Sequence, residues 1–112
     1  MRIAKIFVNN TFAGKFIEKD NHEGYTIEYL EDYQGPPISI TLPSSQKRYE
    51  FEKCPPFFDG LLPEGSQLEA LLRKAKLDRN DYFGQLVTVG ADLVGAVTVF
   101  EEKNKDNEHE KK

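Results

Sequence analysis

Pro55-Pro56-Phe57-Phe58-Asp59-Gly60-Leu61-Leu62-Pro63-Glu64-Gly65, followed by Ser66-Gln67-Leu68-Glu69-Ala70-Leu71-Leu72, is the stretch that decides the fold. It joins two helical signals through an elbow rich in proline and glycine. Pro55 or Pro56 opens a helix at the position where a missing N–H costs nothing. Phe57 with Leu61, and Phe58 with Leu62, stand four apart and share faces of one short helix. Gly60 and Pro63 keep that helix short. Ser66 to Glu69 matches a capping box, the serine hydroxyl taking the amide three residues on and the glutamate reaching back. Leu68, Leu71, Leu72 and Ala75 then follow the stripe of an amphipathic helix. A third helix is expected with Asn80 or Asp81 as its cap. Tyr82, Phe83, Leu86 and Val87 lie on its buried side, and Gly90 is its C-terminal stop.

Upstream of the elbow the apolar period changes from helix to strand. Residues 3–8 are rich in β-branched and aromatic side chains, and Asn9-Asn10 tolerates the positive φ of a tight hairpin turn. Phe12, Gly14 and Phe16 alternate with Thr11, Ala13, Lys15 and Ile17, completing the hairpin. Residues 19–24 form a polar loop. Tyr25, Ile27 and Tyr29 give a third strand with one apolar face. Gly35-Pro36-Pro37 breaks the chain, and Ile38, Ile40 and Leu42 read as a short fourth strand stopped by Pro43. Tyr49-Glu50-Phe51 is a brief extended piece. Residues 95–100 form the last strand. The expected fold is α+β: an antiparallel sheet of about five strands with two or three helices inserted before the last strand.

A chain of 112 residues is one domain on length alone. Its apolar fraction of 38% and aromatic fraction of 12% suit a globular domain with a modest core. The ordered domain is expected over residues 1–100. Residues 101–112 carry no apolar side chain and are expected to be a disordered charged tail. No apolar run is long enough to span a membrane, and the N-terminus has no signal-peptide core. A single cysteine, Cys54, rules out an internal disulfide and fits a reducing cytoplasm. The net charge of −4 argues against direct nucleic-acid binding, which draws its affinity from basic patches. Arg73, Lys74, Lys76 and Arg79 read as a solvated helix face.

The inventory for chemistry is thin. Cys54 sits beside two prolines and has no base near it in the sequence. His22 lies in a loop and His109 in the tail, too few for a metal site. Asp81, Asp92, Glu50 and Glu52 have ordinary places at a helix start, a turn and a strand. The glycines of Gly90-Ala91-Asp92-Leu93-Val94-Gly95 lack phosphate-loop spacing, and kinase signatures are absent. No catalytic residue, cofactor, metal or small-molecule substrate is expected.

Several segments in order resemble the first N-terminal subdomain of the HipA family of toxin kinases. They are the Val8-Asn9-Asn10 hairpin, Ser39-Ile40-Thr41-Leu42-Pro43, Phe57-Phe58-Asp59-Gly60-Leu61-Leu62-Pro63, and Val89-Gly90-Ala91-Asp92-Leu93-Val94-Gly95-Ala96-Val97. In that family the subdomain packs on a serine/threonine kinase core, and here the charged tail stands where that core would start. A stand-alone chain of this kind is similar to the HipS type of member in three-gene HipBST toxin–antitoxin systems. The resemblance implies a non-enzymatic cytoplasmic antitoxin that binds and neutralises a HipT-like serine/threonine kinase. A HipB-like helix-turn-helix DNA-binding protein would complete a ternary complex. The alternative is a non-inhibitory structural subdomain of a split HipA-type kinase. The elbow Asp59, Gly60, Leu61, Leu62, Pro63, Glu64, Gly65 and Ser66 is the expected partner-binding element, preorganised by two flanking helices and negatively charged. Stand-alone members can carry a bulky aromatic at the position of Ser66, where this chain has a helix-capping residue.

Overall fold

The computed structural model describes residues 1–19, 24–93 and 95–102. Both histidines, His22 and His109, and the tail from residue 103 lie outside the described residues. Five strands form one antiparallel sheet: β1 (Arg2–Val8), β2 (Thr11–Glu18), β3 (Tyr25–Tyr29), β4 (Arg48–Phe51) and β5 (Val97–Glu101). Their order across the sheet is β4-β3-β2-β1-β5. Three helices, α1 (Pro56–Asp59), α2 (Gly65–Ala75) and α3 (Tyr82–Val89), stand between β4 and β5. The α+β expectation is therefore met. The last strand extends through Glu101, and the Glu102 N–H donates to the Ile3 carbonyl at 2.8 Å.

The hairpin turns where expected, with Asn9 at φ 51° and Asn10 at φ 68°. Its register breaks once. Phe7 faces Phe12 but Ile6 faces Gly14, so Ala13 is an extra residue on β2. This bulge corrects the expectation that Phe12, Gly14 and Phe16 share a face. Phe16 enters the core, whereas Phe12 goes to the opposite face and stacks on Phe7 at 5.4 Å. Gly14 is required here because a Cβ would lie 2.4 Å from the Glu28 carbonyl oxygen of β3.

The fourth strand is not at residues 38–42. That segment is a turn closed by a single bridge between Ser39 and Leu42. Ile38 and Leu42 are buried, but Ile40 is 94% exposed at the tip. The brief extended piece at 48–51 pairs with β3 instead. Tyrosines pin the connection between β3 and β4. Tyr29 accepts from the Ile38 N–H and donates to the Leu42 carbonyl, Tyr33 donates to Pro36, and Tyr49 donates to Pro43.

The core lies between one sheet face and the helices. Ala4, Ile6, Phe16, Ile27 and Val99 point into it from the sheet, and Phe58, Phe83 and Leu86 close it from the helical side. Phe16 is the hub, with ring centroids 4.8 Å from Phe58, 5.4 Å from Tyr25 and 5.6 Å from Phe83. Each such pair adds about 0.5–1.5 kcal/mol beyond the area it buries. Among the described residues no helix is long and apolar enough to cross a membrane.

Candidate functional site

The elbow is built from its core-facing side. α1 is a single turn with Pro56 at its start, and the Asp59 N–H donates to the Pro55 carbonyl at 3.0 Å. The chain keeps turning after the helix, with Leu61 N–H on Phe58 at 2.9 Å and Leu62 N–H on Asp59 at 3.3 Å. Phe58 is fully buried and Leu62 nearly so, and these two fix the elbow to the domain. Leu61 and Pro63 are half-buried. Asp59, Gly60, Glu64, Gly65 and Ser66 are exposed. The eight expected site residues are thus contiguous in space but divide into an anchor and a presented edge. Asp59 and Glu64 form no ion pair among the described residues.

Two expectations about the far side of the elbow are corrected. Gly65, at φ 62°, makes the turn into α2 itself. Ser66 therefore falls inside the first turn, Glu64 is the cap residue, and no side chain caps the helix. The expected capping box does not form. Nor does α2 anchor the elbow, because none of its residues is buried. Leu68, Leu71, Leu72 and Ala75 line up as expected but are only half-covered. Periodicity placed the apolar stripe correctly; it carried no information about what covers it.

Asp81 is the cap of α3, its carboxylate accepting from the Gly84 N–H at 2.9 Å. The same carboxylate accepts from Arg2 at 2.6 Å, while Arg2 also grips Glu18 through two bonds of 2.7 and 3.0 Å. The Arg2 guanidinium lies 4.7 Å from the centre of the Phe83 ring. This cluster ties the start of α3 to the β1–β2 hairpin, and the Glu18 carboxylate above all raises the Arg2 pKa. Of the basic residues on α2 and after it, Arg73, Lys74, Lys76 and Arg79 are all exposed and Arg79 pairs with Glu69.

Beside the elbow is a groove of about 390 Å³ lined by Tyr25, Glu52, Cys54, Asp59 and Tyr82, with Lys53 and Asn80. Sequence reasoning included Asp59 and treated Cys54 as inert, but it did not join them. Burial, then the nearby Asp59 charge, pushes the Cys54 thiol up to about 12. It is a protonated thiol at neutral pH, the opposite of a catalytic nucleophile.

A family model described as HipA N-terminal domain matches residues 4–100. A solved structure of the N-terminal domain of HipA toxin matches with a TM-score of 0.75 and 30% identity, covering 94% of this chain and 96% of that one. An uncharacterized protein of Haemophilus influenzae is 32% identical over 103 residues, which are 92% of this chain and 95% of that protein. Two kinase-named proteins of Sinorhizobium fredii are 28% and 36% identical over 91% and 70% of this chain. The chain spans only 25% and 20% of their lengths. The matched family and the matched structure are an N-terminal HipA domain and do not include the kinase domain.

Proposed function

The chain belongs to the HipA N-terminal domain family, and on that premise we propose that it is a cytoplasmic antitoxin that binds and neutralises a HipT-like serine/threonine kinase. It acts by occupancy and has no reaction of its own. A HipB-like DNA-binding protein completes the complex, and this chain contacts neither nucleic acid nor membrane. The observation that carries the reading is the near-complete correspondence with a domain that belongs to a kinase toxin, at 94% of this chain. The relative of matching size in Haemophilus influenzae supports it.

The elbow is the element presented to the kinase. Phe58 and Leu62 hold it to the core, so little freedom is lost on docking. Asp59 and Glu64, which have no ion-pair partner among the described residues, offer negative charge to a groove built to hold phosphates.

The test is to mix the purified chain with the kinase from the adjacent reading frame. Co-elution at micromolar concentration and loss of kinase activity are expected. Replacing Asp59, Glu64 and Ser66 together by alanine should weaken neutralisation while the fold survives, since all three are exposed. Full neutralisation by that variant refutes the role of the elbow. The larger kinase-named relatives favour a second reading, a structural subdomain that supports kinase activity. Binding with unchanged or raised activity selects it.

A further inference from the structure

Ile40 is the most exposed large apolar side chain among the described residues, at 94% against 75% for Met1 and 45% for Phe100. It stands at the centre of a turn. Ser39 to Leu42 close on themselves, the Leu42 N–H donating to the Ser39 carbonyl at 2.9 Å, with Ile40 and Thr41 between them. Turn centres ordinarily take glycine, proline, asparagine, aspartate or serine, whereas β-branched residues suit strands. Local backbone structure therefore gives no reason for an isoleucine here, and contact with water gives none. A residue at odds with its own surroundings is expected where function sets the choice.

The turn is rigidly mounted. Ile38 and Leu42, on either side of the tip, are buried, and the Tyr29 hydroxyl ties both their backbones. The Ser39 hydroxyl accepts from the Thr41 N–H at 3.3 Å. Tyr33 and Tyr49 hold the flanks at Pro36 and Pro43. An apolar tip so preorganised loses little freedom on docking. Its surroundings are uncharged. Residues 33–46 contain no Asp, Glu, Lys, Arg or His, in a chain that is 30% charged. Depletion of charge marks the centre of a protein–protein contact. A loop that seeks a membrane would instead bring Lys or Arg to the headgroups. A second copy of this chain offers a poor seat, because the grooves at Cys54 and at Arg2 are lined by carboxylates and other polar groups.

We propose that this turn is a docking knob whose Ile40 side chain seats in an uncharged, apolar pocket of the kinase partner, a second contact separate from the elbow. The loop leaves the sheet after Tyr29, whereas the elbow is reached from Phe51, which pairs with Tyr25 at the other end of β3. At about 3.3 Å per residue, the two exits lie roughly 13 Å apart. The knob therefore meets a part of the partner that the elbow does not. Assignment of the pocket to the kinase rests on the kinase-binding reading above; the exposure and rigidity of the tip do not.

The experiment measures binding of the full chain to the kinase from the adjacent reading frame by calorimetry, for the wild type, Ile40→Asn and Ile40→Val. Ile40→Asn should weaken binding at least about tenfold, the loss expected when one buried aliphatic side chain is withdrawn. Its thermal midpoint should be unchanged or higher, because asparagine suits a turn and the site is in water. Ile40→Val keeps most of the apolar surface and should bind within about tenfold of the wild type. A second readout needs no variant. With the isoleucine methyls labelled, a soluble paramagnetic agent should broaden the Ile40 methyl in the free chain and spare it in the complex. Equal binding by Ile40→Asn, or an Ile40 methyl still reached by the agent in the complex, overturns the proposal while the kinase-binding reading stands. A wild type that does not bind the kinase refutes that reading, and the assignment of the pocket to the kinase falls with it. Self-association, or binding to vesicles of phosphatidylcholine and phosphatidylglycerol, that Ile40→Asn abolishes would overturn the kinase as occupant in favour of a second copy or a lipid surface.

Discussion

Removing one oxygen atom, in Tyr29→Phe, should loosen the connection between β3 and β4 and leave the sheet intact. The ring keeps its place, since Tyr29 is 3% exposed and lies 5.9 Å from Tyr33 in a stacked pair. The loss is polar. The Ile38 N–H, 2.8 Å from the hydroxyl, loses its acceptor and the Leu42 carbonyl loses its donor. Both residues are buried, at 3% and 4% exposure. An orphaned buried group costs about 1–3 kcal/mol. Pro36, Pro37, Thr41 and Pro43 are exposed, so water can reach part of the loop. The sum should therefore fall at about 2–4 kcal/mol, a large share of the roughly 5–15 kcal/mol that holds a domain folded. Urea unfolding reads the total, and hydrogen exchange at the Ile38 amide reads the site. A loss below about 0.5 kcal/mol, or unchanged protection of Ile38, refutes the claim that this hydroxyl holds the loop. In the unaltered protein burial raises the Tyr29 pKa above 10.0. The tie is then complete below the unfolded value of 10.0 and is lost as pH rises through the folded one.

Three further outcomes follow from the same geometry. A Cβ on Gly90 would lie 1.7 Å from the Val99 carbonyl oxygen, backbone against backbone, so Gly90→Ala must displace β5. The midpoint of thermal unfolding should drop by about 10 °C or more, and an unchanged midpoint refutes the close approach. Cys54, raised from 9.0 to about 12, should react with iodoacetamide at least about thirtyfold more slowly in the folded chain than in urea. Equal rates would show that the thiol is not shielded. Glu50 is held by Lys19 first and then by Arg48 and Thr26, down to about 2. Its folded pKa is depressed, so its contribution is present above 4.5 and fades as pH falls toward 2. Carboxyl NMR should show this titration shifting upward in high salt, since the group is on the surface; a midpoint near 4.5 at low salt refutes the cluster.

How far the sequence carried depends on whether a feature is local. The hairpin turn was legible because Asn9 and Asn10 themselves supply the positive φ. The bulge at Ala13 was not, because its cause is across the sheet. The shift it introduces sets Arg2 opposite Glu18 and turns Phe16 into the core, and no residue near position 13 announces either event. The segments 38–42 and 49–51 both alternate, and only one became a strand. What turned 38–42 into a pinned loop is the Tyr29 hydroxyl, a tertiary bond that periodicity cannot see. The elbow was legible as punctuation, since proline and glycine act on their own backbone. Its anchoring was half legible: Phe58 and Leu62 are buried, but the apolar stripe of α2 is not. The groove was least accessible, because its lining comes from β3, the β4–α1 connection, α1 and the start of α3. One signal was available. Tyr25, Ile27 and Tyr29 share the core face of β3, and two of the three carry a hydroxyl into it. A buried tyrosine needs a partner for that oxygen. For Tyr29 the partner is the loop. Tyr25 instead lines the groove beside the elbow, and its hydroxyl is not among the buried side-chain atoms left without a partner.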